Sequence, residues 1–231
     1  MPLFADIPES RLERILEEGV LRPVEPGQYL FFQGDEAERL YVLLEGRLRL
    51  SQVTPEGQQV ILRYVAPGEA FGVVAALSGA KYPASAETVE NSRIISWDQG
   101  TIRQAMTAIP EIALNALGIL AKRIKEFQDR VRELSTERVE RRIARALIRL
   151  ARQVGRKTEE GLLIDLPLSR QDLAEMTGTT LYTVSRTLSQ WESQGLISSR
   201  REQVLIRFPH GLVAIAEDLP NRALDGEDEP L

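Results

Sequence analysis

The chain has 231 residues, 43% of them hydrophobic and 27% charged, which are the proportions of a folded globular protein and exclude disorder as its main state. It has no cysteine and a single histidine, His210, so disulfides, thiolate metal sites, cysteine nucleophiles, cysteine-held iron–sulfur clusters and His-rich metal clusters are excluded. The net charge of −5 is unevenly spread: residues 1–137 carry 15 basic and 20 acidic side chains, residues 138–210 carry 13 and 8, and residues 211–231 carry 1 and 6. One basic segment between two acidic flanks is the pattern of a localised polyanion-binding region, which whole-chain charge would hide. No uncharged apolar run approaches the ~18 residues of a membrane span, and the N-terminus lacks a basic stretch followed by an apolar one. A cytoplasmic protein that makes no contact with membrane is expected.

The first segment reads as β. Short apolar runs at 29–32, 40–44, 48–50 and 60–65 alternate with turn dipeptides such as Pro26-Gly27, Glu45-Gly46 and Pro67-Gly68. Gly34, Gly46, Gly57 and Gly68 are spaced by 12, 11 and 11 residues. Short strands with glycine turns at that spacing predict an antiparallel roll or barrel. After Pro110 a long helix follows, with Leu117, Leu120, Ile124, Phe127, Val131 and Leu134 in steps of 3 and 4. That narrow stripe predicts a parallel homodimer seam; an ordinary amphipathic helix packed on its own domain is the competing reading. A second, arginine-rich helix spans 138–152, with Ile143, Ala144, Leu147, Ile148 and Ala151 as its apolar face. The stretch 155–161 reads as a polar loop and 162–164 as a short strand.

Ser169-Arg170-Gln171-Asp172 has the form of a capping box at a helix start. Gly178 sits in the turn that follows, Thr180 caps a helix from Leu181 to Gln194, and Gly195 ends it. Val184, Leu188 and Trp191 are its core positions. Residues 197–206 read as a two-stranded wing. Helix, turn, helix and wing together predict a winged helix-turn-helix. Its second helix enters the major groove, so exposed N-terminal side chains meet base edges. Leu181, Tyr182, Ser185 and Arg186 share one face. Arg186 can donate to both guanine acceptors, Tyr182 and Leu181 offer apolar contact to thymine methyls, and Arg170 can grip phosphate. Thr179, Thr180 and Thr183 complete the candidate DNA-contacting set.

With the motifs in view, residues 4–208 resemble the CRP/FNR family of bacterial transcription regulators. The N-terminal match is Pro26-Gly27-Gln28, Phe32-Gln33-Gly34-Asp35, Leu40 to Gly46 and Pro67 to Gly72; the C-terminal match is Leu168 to Ala174, Gly178 and Thr183 to Leu188. The resemblance implies an α+β chain. Its parts are an N-terminal double-stranded β-roll (a cyclic-nucleotide-binding-like jelly roll) at 1–109, a dimerisation helix at 110–135, a winged helix-turn-helix at 136–210 and an acidic tail at 211–231. It implies a homodimer on a palindromic DNA operator. It also places the 155–161 stretch where the family contacts RNA polymerase.

Departures from the family pattern bear on the effector. Val73 stands where cyclic-AMP-binding members carry the ribose-gripping Glu, Ala84 stands in place of the phosphate-binding Arg beside Ser85, and Phe127-Gln128 replaces the adenine-contacting Thr-Ser pair. Cyclic AMP is therefore not expected as the effector, since charge-assisted contacts are the strong ones; weak binding of some anion through Arg123 of the long helix is the minor alternative. A pocket, where present, is expected among Phe71, Gly72, Val73, Val74, Leu77, Tyr82, Ala84, Ser85, Arg123, Ile124, Phe127 and Gln128, suiting an unidentified apolar ligand or simply a filled core. A filled core would mean a DNA-competent regulator controlled by its own abundance; a sensor acting mainly through protein partners is a further alternative. In the DNA-reading helix, Tyr182 stands where FNR-like members carry a Glu, so the operator is expected to differ from theirs at one inner position. No cofactor, metal or catalytic residue is expected, and the acidic residues at 225–229 read as disordered. The seam is expected to transmit occupancy of the pocket through a hinge at Leu134-Ser135-Thr136.

Overall fold

The computed structural model describes residues 1–200 and 202–219, and divides into two compact units after Asp129. The first begins with a 3₁₀ turn and helix α1 (Glu9–Glu17), then strands β1 (Val20–Val24), β2 (Tyr29–Phe31), β3 (Arg39–Glu45), β4 (Leu48–Val53), β5 (Gln59–Val65) and β6 (Ala70–Phe71). Helix α2 (Val73–Ser78), strands β7 (Ser85–Thr88) and β8 (Ser92–Asp98), helix α3 (Gln99–Ala108) and helix α4 (Pro110–Thr136) follow. The strands form two antiparallel sheets, ordered β1-β8-β3-β6 and β2-β7-β4-β5. This is the expected roll; one core cluster gathers Phe31, Leu43, Leu48, Val65 and Ile94 from both sheets, and a second packs Leu40, Val42, Ile95 and Trp97 with Phe4, Ile15, Ile102 and Ile112 of the helical elements.

The turns explain the glycine spacing. Gly46 has φ +84°, and a Cβ there would overlap the Asn91 carbonyl oxygen, so both conformation and space demand glycine. Trp97 on β8 is fully buried, donates its indole N–H to Ile15 O at 2.6 Å and meets Phe4 edge-on at 5.5 Å, which ties α1 and the N-terminal turn over one end of the sheet. Helix α3 starts at Asp98, whose carboxylate accepts the Thr101 N–H at 2.8 Å.

The second unit holds the last turns of α4, helix α5 (Val139–Val154), strands β9 (Gly155–Thr158) and β10 (Gly161–Ile164), helices α6 (Arg170–Thr177) and α7 (Leu181–Ser193), strands β11 (Ile197–Arg200) and β12 (Gln203–Ile206), and helix α8 (Pro209–Glu217). Ile143, Ala144, Leu147 and Ala151 of α5 are buried as expected; Ile148 is half-buried, and Ala146 and Leu150 complete the apolar face. The buried carboxylate of Glu133, on the last turns of α4, accepts Arg149 Nη1 at 2.6 and 2.8 Å. Helix α4 runs unbroken through the expected hinge at 134–136, and the break comes at Glu137 and Arg138, where α5 begins.

Two other boundaries differ from expectation. The 155–161 stretch is a hairpin rather than a loop: β9 pairs with β10, and β10 pairs with β12, so the wing belongs to a four-stranded sheet ordered β11-β12-β10-β9. Its Arg156 and Lys157 stay exposed on an edge strand, so the composition is that of a loop while the backbone is paired. The acidic tail expected from 211 begins inside α8, where Leu212 and Ala216 are buried and α5 is the packing partner. The acidic cluster at 225–229 lies outside the described residues.

Candidate nucleic-acid interface and roll cavity

The start of α6 is fixed by the predicted capping box. Ser169 Oγ accepts the Asp172 N–H at 3.0 Å, and Asp172 Oδ2 accepts the Ser169 N–H at 2.8 Å. The helix ends at Gly178, with φ 59° and ψ 47°. Arg142 of α5 donates to Thr177 O at 3.1 Å and Gly178 O at 3.3 Å, placing a cation on the carbonyl end of α6. Leu134 packs on the other side of the turn; a Cβ on Gly178 would lie 3.2 Å from its Cδ2. Thr180 Oγ1 then accepts the Thr183 N–H at 3.2 Å and caps α7.

Helix α7 buries Val184, Thr187, Leu188 and Trp191, which fixes its rotation. The opposite face carries Tyr182, 74% exposed, Leu181, 48% exposed, and an exposed Arg186, with Ser185 and Thr183 half-buried. Arg186 has no ion-pair partner among the described residues. Thr180 is exposed and Thr179 half-buried in the turn; the Thr180 and Thr183 hydroxyls lie 2.9 Å apart, spent on the cap. Arg170 is half-buried at the α6 start, 4.0 Å from Glu192 Oε2. Glu192 also accepts the Ser199 N–H at 2.5 Å, so one carboxylate joins α7 to the wing and lies beside the candidate phosphate grip. Sequence reasoning missed Glu192, and no local signal marks it: its partners lie 7 and 22 positions away.

The roll carries an open pocket with a cavity volume of about 130 Å³. Phe71, Gly72, Val73, Val74, Tyr82, Ala84 and Arg123 line it, as the sequence suggested. Ser85, Ile124, Phe127 and Gln128 do not. Ser85 is buried and accepts the Gln33 N–H at 2.9 Å; Ile124 and Phe127 are 59% and 68% exposed, and Gln128 is exposed beside them. Ile124 and Gln128 are turned about 100° and 140° round the helix from Arg123, whereas Phe127 is on its face but one turn further along. Leu120, expected in the seam, lines the cavity instead, while Leu117, Ile124, Phe127, Val131 and Leu134 remain exposed and Leu114 extends the stripe. Phe31, Leu50, Arg63, Ala70, Pro83 and Ile119 complete the lining and were missed. No local pattern marks Arg63, because β5 does not alternate: both Tyr64 and Val65 are buried beside it.

The charges of this cavity are internally paired. Arg63 Nη1 donates to Glu69 Oε2 at 2.6 Å, and Arg123 Nη2 lies 3.3 Å from Glu69 Oε1. Burial pushes the Glu69 carboxyl up, but the two guanidiniums overcome it and hold it below its ordinary value of 4.5. Burial, then Arg123 beside it, lower the Arg63 guanidinium. Tyr82 is stacked on Phe31 at 3.7 Å and donates its hydroxyl to Arg39 O at 2.6 Å, so its polar end is already used. Among the described residues no group of acidic or histidine side chains could hold a metal ion, and no single helix is long and apolar enough to cross a membrane.

Comparison with known proteins matches the two units separately. Residues 21–108 match the cyclic nucleotide-binding domain and residues 141–215 the Crp-like helix-turn-helix domain. The global nitrogen regulator of Nostoc sp. is 31% identical over 194 residues, covering 82% of this chain and 86% of that protein. The cyclic AMP receptor protein of Thermus thermophilus is 30% identical over 196 residues, covering 85% and 88%. A solved CRP/FNR-family transcriptional regulator from Thermus thermophilus superposes with TM-score 0.74 at 26% identity, covering 86% of this chain and 98% of that one.

Proposed function

The chain belongs to the CRP/FNR family of DNA-binding transcription regulators, and on that premise we propose that it acts as a homodimer that reads a palindromic operator through α7 and is gated by a small-molecule effector other than cyclic AMP. The observation that carries the DNA reading is the free face of α7. Its packing residues are buried, and Leu181, Tyr182 and Arg186 are left facing solvent, Arg186 with no ion-pair partner among the described residues. Arg186 is the base-reading donor, and Arg170, the Thr179–Thr180 turn and the N-terminus of α7 are the phosphate side. The dimer rests on the exposed row Leu114, Leu117, Ile124, Phe127, Val131 and Leu134 of α4, an apolar stripe that a lone chain leaves in water. Two-fold symmetry in the protein then requires two-fold symmetry in the DNA.

Val73 and Ala84 in the cavity lining favour an effector other than cyclic AMP, because neither can grip a ribose or a phosphate. The exposed β9–β10 turn at Glu159 and Glu160 is the surface offered to RNA polymerase. Occupancy of the roll is read out through the continuous helix α4, provided the ligand prefers one arrangement of the dimer.

Selection of random duplex DNA by the purified protein, at fixed salt and with no ligand, tests this reading. Enrichment of a palindrome supports the dimeric reader and shows the ligand-free protein to be DNA-competent. Sequence-blind binding that persists after a screen of effectors refutes it.

A further inference from the structure

Glu192 stands where a helix by itself does not favour a carboxylate. It lies in the last turn of α7, where unpaired carbonyls carry partial negative charge. Its partners are tertiary. Glu192 Oε1 accepts the Ser199 N–H of β11 at 2.5 Å, and Oε2 faces Arg170 Nη2 at 4.0 Å. The wing is tied to the start of α6 a second time, by the Leu168 N–H, which donates to Glu202 O at 3.0 Å. The wing is thus anchored at two points, and one of them carries a charge.

The two contacts of this carboxylate differ in kind. The Ser199 contact is a hydrogen bond from a backbone donor, which fixes the carboxylate in place. The Arg170 contact is a long ion pair between side chains 39% and 32% exposed. Arg170 makes no side-chain hydrogen bond among the described residues, so its charge is balanced while its N–H donors stay unspent. A phosphate oxygen arriving at about 2.8 Å takes those donors. The phosphate then lies close to a fixed carboxylate and is repelled by it.

Resting on the DNA-binding reading above, we propose that Glu192 is a positioning residue for the phosphate contact of Arg170. It holds the guanidinium beside the wing and weakens its grip on DNA of any sequence, while its other oxygen fixes the wing to α7. An arginine that brings its own carboxylate to a phosphate displaces no counterion, whereas an unaccompanied one displaces about 0.9. Glu192 therefore sets the salt dependence of DNA binding, and base readout by Arg186 stays separate from it.

Titration of the full-length protein with its selected operator and with random duplex, across a salt series, tests the proposal. Glu192→Gln keeps an acceptor for the Ser199 N–H and removes the charge. It is expected to bind both DNAs about two- to fivefold more tightly, the worth of one exposed ion pair, and to steepen the slope of log affinity against log salt by about 0.9. In an Arg170→Ala background the same change is expected to leave the slope as it is. Glu192→Ala also takes the acceptor from Ser199, so its operator affinity is expected to fall below that of Glu192→Gln while the two slopes agree. An unchanged slope in Glu192→Gln overturns the proposal, as does a steeper slope that survives in the Arg170→Ala background; equal operator affinity of the Gln and Ala variants overturns the wing contact. A wild-type protein that selects no operator refutes base reading by α7 instead, and the random-duplex titrations still decide the role of Glu192.

Discussion

Arginine is used in opposite ways in the two units. On α7, Arg186 stands on a solvent-facing surface with no ion-pair partner among the described residues. In the roll, Arg63 and Arg123 are drawn in and share a carboxylate supplied by the chain itself. An exposed guanidinium without a partner keeps its donors available to an external acceptor. The Arg63 and Arg123 pair has already spent donors on the chain's own acceptors, Glu69, Glu126 and the Tyr64 carbonyl. The number of cations near a site therefore says little about it; what matters is how many of their donors remain unspent. The winged unit presents a surface ready to bind a polyanion, whereas the roll presents a site whose two guanidiniums are matched by Glu69 and Glu126.

The most severe test of this contrast removes the frame that holds Arg186 outward. Leu188→Ala empties a fully buried position of α7 and is expected to cost about 2–5 kcal/mol, abolishing specific DNA binding together with the second unit's thermal transition. Retained operator affinity would mean that the free face of α7 is not the reader. Arg186→Ala leaves the fold alone and is expected to cost about 1–3 kcal/mol for the selected operator and less for random duplex, measured by titration at one salt concentration. An equal loss on both would reduce Arg186 to a phosphate contact. Gly178→Ala forces a Cβ into a left-handed turn 3.2 Å from Leu134 and is expected to cost about 1–2 kcal/mol of stability, read from the denaturation midpoint.

Legibility in the sequence followed the range of the interactions. The winged unit was readable because its devices are local: a capping box closes over three residues, the αL glycine and the Thr180 cap are adjacent to what they terminate, and the buried positions of α7 recur at helical spacing. The β9 strand is the exception: its partner β10 is local, but its exposed Arg156 and Lys157 give it the composition of a loop and hide the pairing. The roll was recognisable as a roll from its turns, yet its cavity was only partly placed. Phe71 to Val74 and Ala84 were found by resemblance, whereas Glu69 was not connected to Arg63 or Arg123, because that contact joins β5, the turn before β6 and the middle of α4. On α4 the stripe was read correctly in period but one residue carried too much: Leu120 is shared between the expected seam and the cavity, and the structure gives it to the cavity. A single-helix pattern records which residues are apolar, not which of two apolar neighbours each one meets.

A subtler change probes the closed pair itself. Because Arg63 and Arg123 hold the Glu69 carboxyl below its ordinary value of 4.5, ionised Glu69 stabilises the folded roll above that value. The contribution is complete at neutral pH and is lost as pH falls through the depressed folded value, so the roll should weaken on acidification rather than on alkalinisation. Other carboxylates act in the same direction, including the exposed helix cap Asp98, which its hydrogen bonds to Thr101 also hold low. The informative quantity is therefore the difference between the wild type and Glu69→Gln, followed by urea denaturation from pH 7 down to pH 3. The wild type should lose more stability than the variant across the acid range, and the two curves should converge at its lower end. Parallel curves would mean that Glu69 is no more stable ionised in the folded roll than in water, and the arginines would then be as open to an external anion as Arg186 is on α7.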